Sequence, residues 1–453
     1  MFFSKFRFST LLVLSGFFFV PVLRQAPVET PSEAFQKLMT EFDEGLESLN
    51  IPSLTYDYRE YFNAIPDEAK IQKQEDFFNG IQSKLAAIEK KRLTALNQLH
   101  YDHIDFEIRL NLERTALEKA YRKRKPDAIP TNGLSQMEGW YAYRIHFFTS
   151  LHITPEELFS FGEKEVARVQ GEIKKIQNSL GFKDDDAFYA HLQSDEFYLH
   201  DKNKILEYYE EIKKIAFHNL GRMFRDTAIA DIAFMEWANA GPFTPPGYYS
   251  PRADNAYGTG VFHFNFYDGR HNRRAMDWLF IHEAVPGHHY QWSLRDRLPD
   301  QPAFKRQFYY PGNFEGWGAY VEYFGKEIGL YRDPYAELGK WEWDLVRSVR
   351  ILIDVGIHHY GWSKEEAMNC WKKYIRGQDE IAEREVVRCT NWPAQALSYK
   401  VGAWKIQQMA DQLKKAHPDS FSLPDFHHTY LMTGASPLEA IEKNMEALMQ
   451  ENL

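Results

Sequence analysis

The segment Ile281–Gln291, with the sequence IHEAVPGHHYQ, limits the local fold more than any other part of the chain. Pro286 lacks the amide proton that would bond to the carbonyl of His282, and its ring crowds that carbonyl, so a helix must end or bend there. Gly287 then permits almost any backbone conformation. We therefore expect a kink or a wide turn at Pro286 and Gly287.

The spacing of the histidines decides whether this segment can bind a metal ion. In a regular helix, two histidine ligands of one zinc lie four positions apart, on the same face. His282 and His288 are six positions apart, and a straight helix would turn them about 240° from each other. His289 faces the same way as His282, but it lies roughly 10 Å further along the axis. A bend at Pro286 and Gly287 can bring His288 back toward His282; the alternative is a helix end whose histidines bind nothing.

Carboxylates near the histidines favour the metal-binding alternative. Glu283 directly follows His282, where zinc proteases have the carboxylate that activates the metal-bound water. The segment NFEGWGAYVEYFGKEIGLY has Glu315 and Glu322 two helical turns apart on one face. A glutamate on the next helix is a usual third ligand of a two-histidine zinc site. Glycines beside Glu315 allow a close approach of the backbone, so we predict Glu315 as the ligand and Glu322 as a carboxylate behind it.

Most of the remaining chain has the pattern of amphipathic helices. Thr154 and Glu157 form a capping box ahead of apolar residues that recur at helical period. Ser363–Glu366 and Ser436–Glu439 repeat this helix-start signal. We see neither a repeat of fixed period nor a linker. The pattern therefore predicts one mainly α-helical catalytic unit over residues 27–453.

One segment, GVFHFNFY at residues 260–267, has a clear strand pattern. Val261, His263 and Asn265 alternate with phenylalanines, as in a strand with two different faces. The segment follows a turn-rich stretch and precedes the histidine-rich segment. In zinc-protease-like sites such a strand pairs with an extended substrate backbone. We therefore predict His263 and Asn265 as substrate-binding residues.

Composition and charge exclude several classes of protein. The chain has 453 residues and a net charge of −10, whereas a nucleic-acid-binding protein normally has a basic face. Apolar and charged contents of 44% and 26% exclude intrinsic disorder. Two cysteines, Cys370 and Cys389, exclude a disulfide framework and a cysteine-only zinc site, but leave one bridge possible.

The N-terminus has the pattern of a signal peptide. Lys5 and Arg7 precede an apolar run, from about Phe8 to Leu23, that is too short to cross a membrane comfortably. No cysteine follows this run, which argues against a lipid anchor; an uncleaved N-terminal anchor is the alternative. We expect an exported protein, periplasmic or extracellular, with no stable membrane insertion once residues 1–26 are removed.

Several segments together resemble the bacterial family known as domain of unknown function 885. They are, in order, HEAVPGHHYQ, EGWGAYVEYFGKEIGLY, RILIDVGIHHYGWSKEEA and PAQALSYKVG. The resemblance covers most of residues 140–450. It implies a zinc-peptidase-like protein, related to helical gluzincins, with a small β element next to the active-site helix. The residues that the family pattern assigns to the metal site are His282, Glu283, His288 and Glu315, with His289 as a neighbour.

Two residues in the family-like segments are candidates to stabilise the negative oxygen formed in peptide hydrolysis. They are Tyr399 and His358, and either side chain can donate a hydrogen bond at neutral pH. The alternative for each is a packed amphipathic side chain. Asp354 lies one helical turn before His358, so we expect it to orient that histidine. Arg347 and Arg350 could bind the carboxyl terminus of a substrate, but a role on the helix surface is favoured.

The combined pattern predicts an exported zinc peptidase that binds one Zn²⁺ ion and hydrolyses short peptides with a metal-activated water. Glu283 is the expected general base. The alternatives are a non-catalytic protein that binds metal or peptides, and a zinc amidohydrolase that acts on amides other than peptides. Glu283 favours an enzyme, because a binding protein does not need a base beside the ligands.

Overall fold

The structure of the protein is a computed structural model that describes residues 30–51, 56–124, 129–241, 244–251, 260–298 and 301–451. The predicted leader at residues 1–26 lies outside the described residues. Within them, the protein is mainly α-helical with a few short strands. The predicted fold class is thereby confirmed, while the gluzincin-like relationship and the single catalytic unit stay predictions.

The first half of the described chain is helical. Its helices are α1 (Pro31–Leu49), α2 (Tyr58–Ala64), α3 (Glu68–Ala86), α4 (Ala95–Arg124), α5 (Trp140–Thr149), α6 (Pro155–Ser179), α7 (Asp185–Leu192) and α8 (Lys202–Asn219).

The described residues include five short strands, of which the first precedes α8 and the other four lie between α8 and the second helical half. They are β1 (Tyr198–Leu199), β2 (Ile232–Glu236), β3 (Gly247–Pro251), β4 (Gly260–Phe264) and β5 (His271–Asn272). β1 pairs with β5, and the other three form a sheet in the order β2-β4-β3. Within this sheet β4 is parallel to β2 and antiparallel to β3. β3 lies against the helices that carry the histidine-rich segment.

The second half is again helical. Its helices are α9 (Met276–Glu283), α10 (His288–Ser293), α11 (Pro311–Val321), α12 (Pro334–His358), α13 (Lys364–Tyr374), α14 (Asp379–Asn391), α15 (Leu397–Ala416), α16 (Leu423–Met432) and α17 (Leu438–Gln450). No helix in the described ranges is both long and apolar enough to span a bilayer.

Two of the three predicted capping boxes are confirmed. Thr154 and Ser363 each accept a hydrogen bond from the third helical residue, whose glutamate reaches back to the cap. The third is wrong, because α17 begins two residues after Ser436, and the hydroxyl of Ser436 instead donates to the carbonyl of Thr433. Glu439 is thereby free to make contacts elsewhere, with Arg109 of α4.

The largest apolar cluster surrounds α9, α11 and α15. α11 and α15 cross at very short range through glycines: a Cβ atom on Gly316 would lie 2.6 Å from the Cα atom of Gly402. Because neither position has a side chain, the two backbones touch, and α11 also contacts α9. Cys370 and Cys389 are both buried and free, so the possible disulfide bridge is not formed.

Candidate metal centre

The histidine-rich segment forms the end of one helix, a tight bend and the start of another. α9 ends at Glu283 and α10 begins at His288. In the bend, the Val285–Pro286 peptide bond is cis. The indole Nε1 of Trp317 donates a hydrogen bond of 2.9 Å to the carbonyl of Pro286. The bend that the proline predicts is confirmed.

Gly287 allows the bend to close on α9. A Cβ atom at this position would lie 1.9 Å from the carbonyl oxygen of His282, so a larger residue does not fit. The bend brings the rings of His282 and His288 to a centroid distance of 4.8 Å, with their planes 79° apart. The six-residue spacing that a straight helix cannot use therefore becomes a converging pair.

Glu315 approaches both histidines from α11. Its Oε2 lies 3.5 Å from Nε2 of His282 and 3.3 Å from Nε2 of His288. A Cβ atom on Gly318 would lie 2.7 Å from Cε1 of His282, so a glycine is needed for α11 to come this close. The predicted close backbone approach beside Glu315 is confirmed. On the other side, the ring of Phe314 stacks on His288 at 4.4 Å.

The three side chains have the geometry of a metal site. Their donor atoms all lie within 4.8 Å of one another. Two imidazole nitrogens and one carboxylate oxygen are the protein ligands of catalytic zinc sites that keep a fourth position open. Tetrahedral donors at ~2.0–2.1 Å from zinc are about 3.3 Å apart, close to the observed 3.3 and 3.5 Å. The residues present therefore fit a zinc ion.

A buried carboxylate fixes the ring of His282. Oε1 of Glu322 lies 2.8 Å from Nδ1 of His282, while its Oε2 accepts a hydrogen bond of 2.6 Å from Arg347. A carboxylate at Nδ1 keeps a proton on that nitrogen, so Nε2, which faces Glu315, is the nitrogen that a metal ion would take. The structure thus has Glu322 behind the ligand, as the sequence predicts.

The surface position predicted for Arg347 and Arg350 is wrong. Both side chains are buried in α12, where Arg347 pairs with Glu322 and Arg350 with Glu385. Loss of one partner of such a buried pair typically costs about 3–5 kcal/mol of stability, because a charge is left uncompensated. These arginines are therefore held inside the protein by their partners.

The charges of the site act strongly on one another. Burial alone would lower the pKa of His282, but Glu315 and Glu322 outweigh it and raise that pKa to about 9. Despite burial, hydrogen bonds from the two histidines hold the pKa of Glu315 well below its usual range. Burial raises the pKa of Glu283 against the opposing effect of the histidines. A higher pKa makes the Glu283 carboxylate a better proton acceptor than an ordinary glutamate.

Glu283 lies between the histidines and the sheet. It is the last residue of α9, and its carboxylate accepts a hydrogen bond from the backbone amide of Tyr249 in β3. In an antiparallel pair, each residue directs its backbone groups either toward the partner strand or away from it. Since the amide of Tyr249 points at Glu283, it belongs to the open edge of β3. Sequence patterns cannot reveal such a backbone contact.

The predicted role of the strand at 260–267 is wrong. β4 (Gly260–Phe264) is the central strand of its sheet, with β2 along one edge and β3 along the other. Its backbone hydrogen-bonding groups are therefore used within the sheet and cannot pair with a substrate. The edge strand next to Glu283 is β3 instead.

The predicted substrate-binding side chains also have partners within the protein. Nε2 of His263 lies 2.9 Å from the hydroxyl of Ser250, and its ring stacks on Tyr248. The amide of Asn265 donates to the carbonyls of Thr244 and Pro245. Both residues thus hold the loops and strands of the sheet together, and their assignment to substrate binding is not supported.

Tyr399 lies beside the histidines, on α15. Its ring stacks at 6.2 Å on the ring of His282, with 23° between the planes. Its hydroxyl accepts a hydrogen bond of 3.0 Å from Arg388. Burial and the charge of Glu315 raise the pKa of Tyr399, so the phenol keeps its proton at neutral pH. Arg388, which belongs to α14, was not predicted because nothing in the sequence spacing connects it with Tyr399.

The predicted roles of His358 and Asp354 are wrong. Nδ1 of His358 accepts from the amide of Leu134 at 3.1 Å, and Nε2 donates to the carbonyl of Cys389 at 2.8 Å. Burial lowers the pKa of His358 to about 3, so the ring stays neutral with no proton left to offer a substrate. The carboxylate of Asp354 accepts instead from Tyr141 and from the backbone, without contacting His358 through a hydrogen bond.

His289 supports the site from behind β3. Its ring is fully buried, with Nε2 at 2.8 Å from the carbonyl of Ala230 and Nδ1 at 3.2 Å from the hydroxyl of Tyr249. It is the neighbour that the resemblance implies, and it contacts the strand rather than the three converging side chains.

An aromatic cleft adjoins the site. Tyr56 and Tyr309 are partly exposed at a cavity of about 670 Å³, whose wall also includes Phe147 and Phe308. Burial and the charge of Glu315 together raise the pKa of both tyrosines. The ring of Tyr309 lies 5.6 Å from that of Phe314, which stacks on His288, so one side chain separates the cavity from the converging ligands.

Two solved structures share the fold. A candidate lipoprotein from Colwellia psychrerythraea matches with a TM-score of 0.66 and 23% identity, over 94% of this chain and 77% of that chain. A candidate lipoprotein of unknown function from Shewanella oneidensis has a TM-score of 0.71 and 18% identity, over 92% of this chain and 100% of that chain. At these identities the likeness shows the fold alone. Among curated proteins, no match is found.

The family resemblance seen in the sequence is confirmed. The profile of a family described as bacterial protein of unknown function, DUF885, matches residues 114–445. This range includes the bend at Pro286, the three converging side chains and Tyr399. The chain belongs to the DUF885 family of bacterial proteins.

Proposed function

We propose that the protein is an exported zinc-dependent peptidase that hydrolyses short peptides. One observation carries the proposal: His282, His288 and Glu315 converge on one point, and the buried carboxylate of Glu283 lies beside them. A protein that only binds metal does not need a base with a raised pKa next to the ligands. The combination therefore favours hydrolysis over storage or structural binding.

The three converging side chains would hold the zinc ion. When bound, zinc polarises a carbonyl group and lowers the pKa of a coordinated water. Glu283 accepts the proton of the attacking water and returns it to the leaving amine, which is general acid–base chemistry. Tyr399 donates its hydroxyl proton in a hydrogen bond to the oxygen that becomes negative, while Arg388 holds that hydroxyl in position.

The surroundings suit an extended peptide. The outer edge of β3 pairs with no other described strand, and backbone groups on such an edge bind a peptide backbone with little dependence on its sequence. The aromatic cleft at Tyr56 and Tyr309 offers room for a side chain beside the metal centre. An amidohydrolase of non-peptide amides would use the same ligands and base, but it has no need of an open strand edge.

Export is the proposed location. It is supported by the leader pattern at residues 1–26, and by two fold relatives that are described as candidate lipoproteins.

The test combines zinc analysis with digestion of a peptide library, followed by mass spectrometry. We expect the purified protein to cleave peptides with zinc, to lose the activity after chelation and to regain it when zinc returns. His288→Ala should abolish cleavage and lower the zinc content by one equivalent, whereas His218→Ala, at an exposed histidine of α8, should do neither.

Two outcomes would contradict the proposal. Zinc binding with no cleavage of any library member would indicate a binding protein. Cleavage of small non-peptide amides alone would indicate an amidohydrolase.

A further inference from the structure

A second cluster of two histidines and a glutamate lies away from the metal centre. His146 belongs to α5, His152 follows that helix, and Glu439 belongs to the first turn of α17. One donor atom from each lies within 4.8 Å of the others. In particular, Nε2 of His152 is 3.8 Å from Oε2 of Glu439. The proposed peptidase function uses none of these residues.

Hydrogen bonds define the protonation of His146. Its Nδ1 lies 3.1 Å from Oε2 of Glu113, so this nitrogen carries the proton and donates it to the carboxylate. In a neutral ring, Nε2 then carries a lone pair and acts as an acceptor. That nitrogen is buried and has no hydrogen-bond partner within the described structure, on a residue that is 3% exposed. A buried nitrogen lone pair without a hydrogen-bond donor lowers the stability of the folded state unless a bound ligand interacts with it.

Glu439 presents a second unpaired lone pair to the same space. Its Oε1 accepts from Arg109 at 2.7 Å and also from Lys443. Its Oε2 is buried and, in the described part of the chain, accepts no hydrogen bond. His152 contributes a third acceptor, since Arg109 donates to its Nε2 at 3.0 Å. Acceptor atoms from three side chains thus converge. Arg109 and Lys443 donate in this cluster only to Oε1 of Glu439 and Nε2 of His152, so within the described residues Nε2 of His146 and Oε2 of Glu439 have no donor.

We propose that His146, His152 and Glu439 form a second site for a divalent transition-metal ion, with Zn²⁺ as the best match to two imidazoles and one carboxylate. The ion takes the lone pairs of His146 and Glu439 and displaces Arg109 from His152. Glu113 holds the ring of His146 from behind, as carboxylates do for histidine ligands of metals. Arg109 remains paired with Oε1 of Glu439.

A cleft leads to the second site, and an ion bound there would connect two helices. His152 and Glu439 line a cleft of about 940 Å³, through which a hydrated ion can reach the ligands. An ion there would join the end of α5 to the start of α17, two helices that are far apart in sequence. Any ligand that binds only the folded state stabilises it in proportion to the logarithm of its concentration. We therefore infer a stabilising metal rather than a second catalytic one.

Metal titration of the full chain tests the proposal, with Zn²⁺ alone as the probe. The metal-free protein should bind two equivalents of Zn²⁺ per chain. His152→Ala should bind one and keep its peptidase activity, and His288→Ala should also bind one but lose activity. The double variant should bind none, and His218→Ala should bind two. The rise in melting temperature that Zn²⁺ gives beyond the first equivalent should disappear in His152→Ala.

The choice of His152 keeps the result interpretable. Its side chain is 62% exposed, so its removal leaves the core intact. Glu439→Gln is the second variant, because it keeps a hydrogen-bond acceptor for Arg109 while it weakens the metal ligand. If the wild type binds one equivalent, and His288→Ala removes it, the second site does not exist. If His152→Ala binds as many equivalents as the wild type, the proposal is equally overturned. The peptidase proposal is tested only by the His288→Ala variant, so the peptidase proposal and the second-site proposal can fail separately.

Discussion

Two clusters in this protein share a donor set and a spacing but differ in their surroundings. In each, two histidines six positions apart meet one glutamate from a later helix: His282, His288 and Glu315 in the metal centre, and His146, His152 and Glu439 in the second cluster. In each, a further carboxylate holds Nδ1 of the first histidine. The ligand triads alone therefore do not distinguish a reactive centre from a structural one.

The difference lies in what surrounds the ligands. The first centre is enclosed in the core, with Glu283 and Tyr399 beside it and a strand edge and an aromatic cleft next to it. The second lies at the surface, where His152 is exposed and Arg109 adds a positive charge. A base and a hydrogen-bond donor are what hydrolysis needs beyond a metal. We infer that the first cluster carries out hydrolysis, and that a metal ion at the second cluster joins α5 to α17.

Removal of the base should have the largest effect. Glu283→Gln leaves all three ligands in place, but an amide does not accept the proton of the attacking water. We expect turnover to fall by roughly 10²–10⁴ while the zinc content is unchanged. The measurement is kcat on a cleaved library peptide together with zinc analysis.

Glu113→Gln is the matched control, because Glu113 is the carboxylate at the second cluster. It should leave kcat as in the wild type. Wild-type turnover in Glu283→Gln would remove Glu283 as the base and with it the main difference between the clusters.

Tyr399→Phe should have the next largest effect. The variant keeps the ring that stacks on His282 and deletes only the hydroxyl that Arg388 holds. Loss of one donor to a negative oxygen typically lowers the rate by about 10²–10³. We therefore expect kcat to fall by that order, with unchanged zinc content and melting temperature. Full activity would show that the hydroxyl does not reach the substrate, and a lower melting temperature would indicate a packing role.

Glu322→Gln should act on metal affinity more than on chemistry. The amide keeps the shape of the side chain but loses the charge that pairs with His282 and Arg347. Loss of such a carboxylate behind a histidine ligand typically weakens metal binding 10–100-fold. A chelator competition at the first site should show this weakening, while Zn²⁺ binding at the second cluster stays constant. Equal weakening at both clusters would mean that the change acts through global stability instead.

Features decided by short stretches of sequence could be predicted. The caps at Thr154 and Ser363 depend on residues three positions apart, and the bend depends on Pro286 and Gly287 alone. Such signals act through the geometry of one or two turns of chain, so they are visible in the sequence itself. The convergence of His282 and His288 follows from the bend.

Features that depend on distant parts of the chain could not be predicted. β2 pairs with β4 across a long connection, so the central place of β4 and the open edge of β3 were not visible in the sequence. Arg388 reaches Tyr399 from another helix for the same reason. The second cluster has the same six-residue spacing, but its turn uses Ser150 in a left-handed conformation, at φ 56°, instead of a proline–glycine pair. Serine gives no signal for that conformation.

The smallest effect is expected from a single methyl group beside the first centre. Gly318→Ala would put a Cβ atom 2.7 Å from the ring of His282, closer than a Cβ atom can pack, so the ring or α11 must shift. Gly171→Ala, in the exposed part of α6, meets no atom within 4 Å and is the matched control. Because alanine favours a helix over glycine, the control should raise the free energy of unfolding by up to about 1 kcal/mol and leave zinc affinity unchanged. Gly318→Ala should lose that gain to crowding and weaken zinc binding at the first centre by less than Glu322→Gln does. Denaturant unfolding measures the free energy of unfolding, and chelator competition measures the zinc affinity.

A Gly318→Ala variant as stable as the control, with unchanged zinc affinity, would contradict this prediction. The close approach of α11 to His282 would then not be what holds Glu315 in place. The contrast between a packed first centre and an open second one would lose its structural basis.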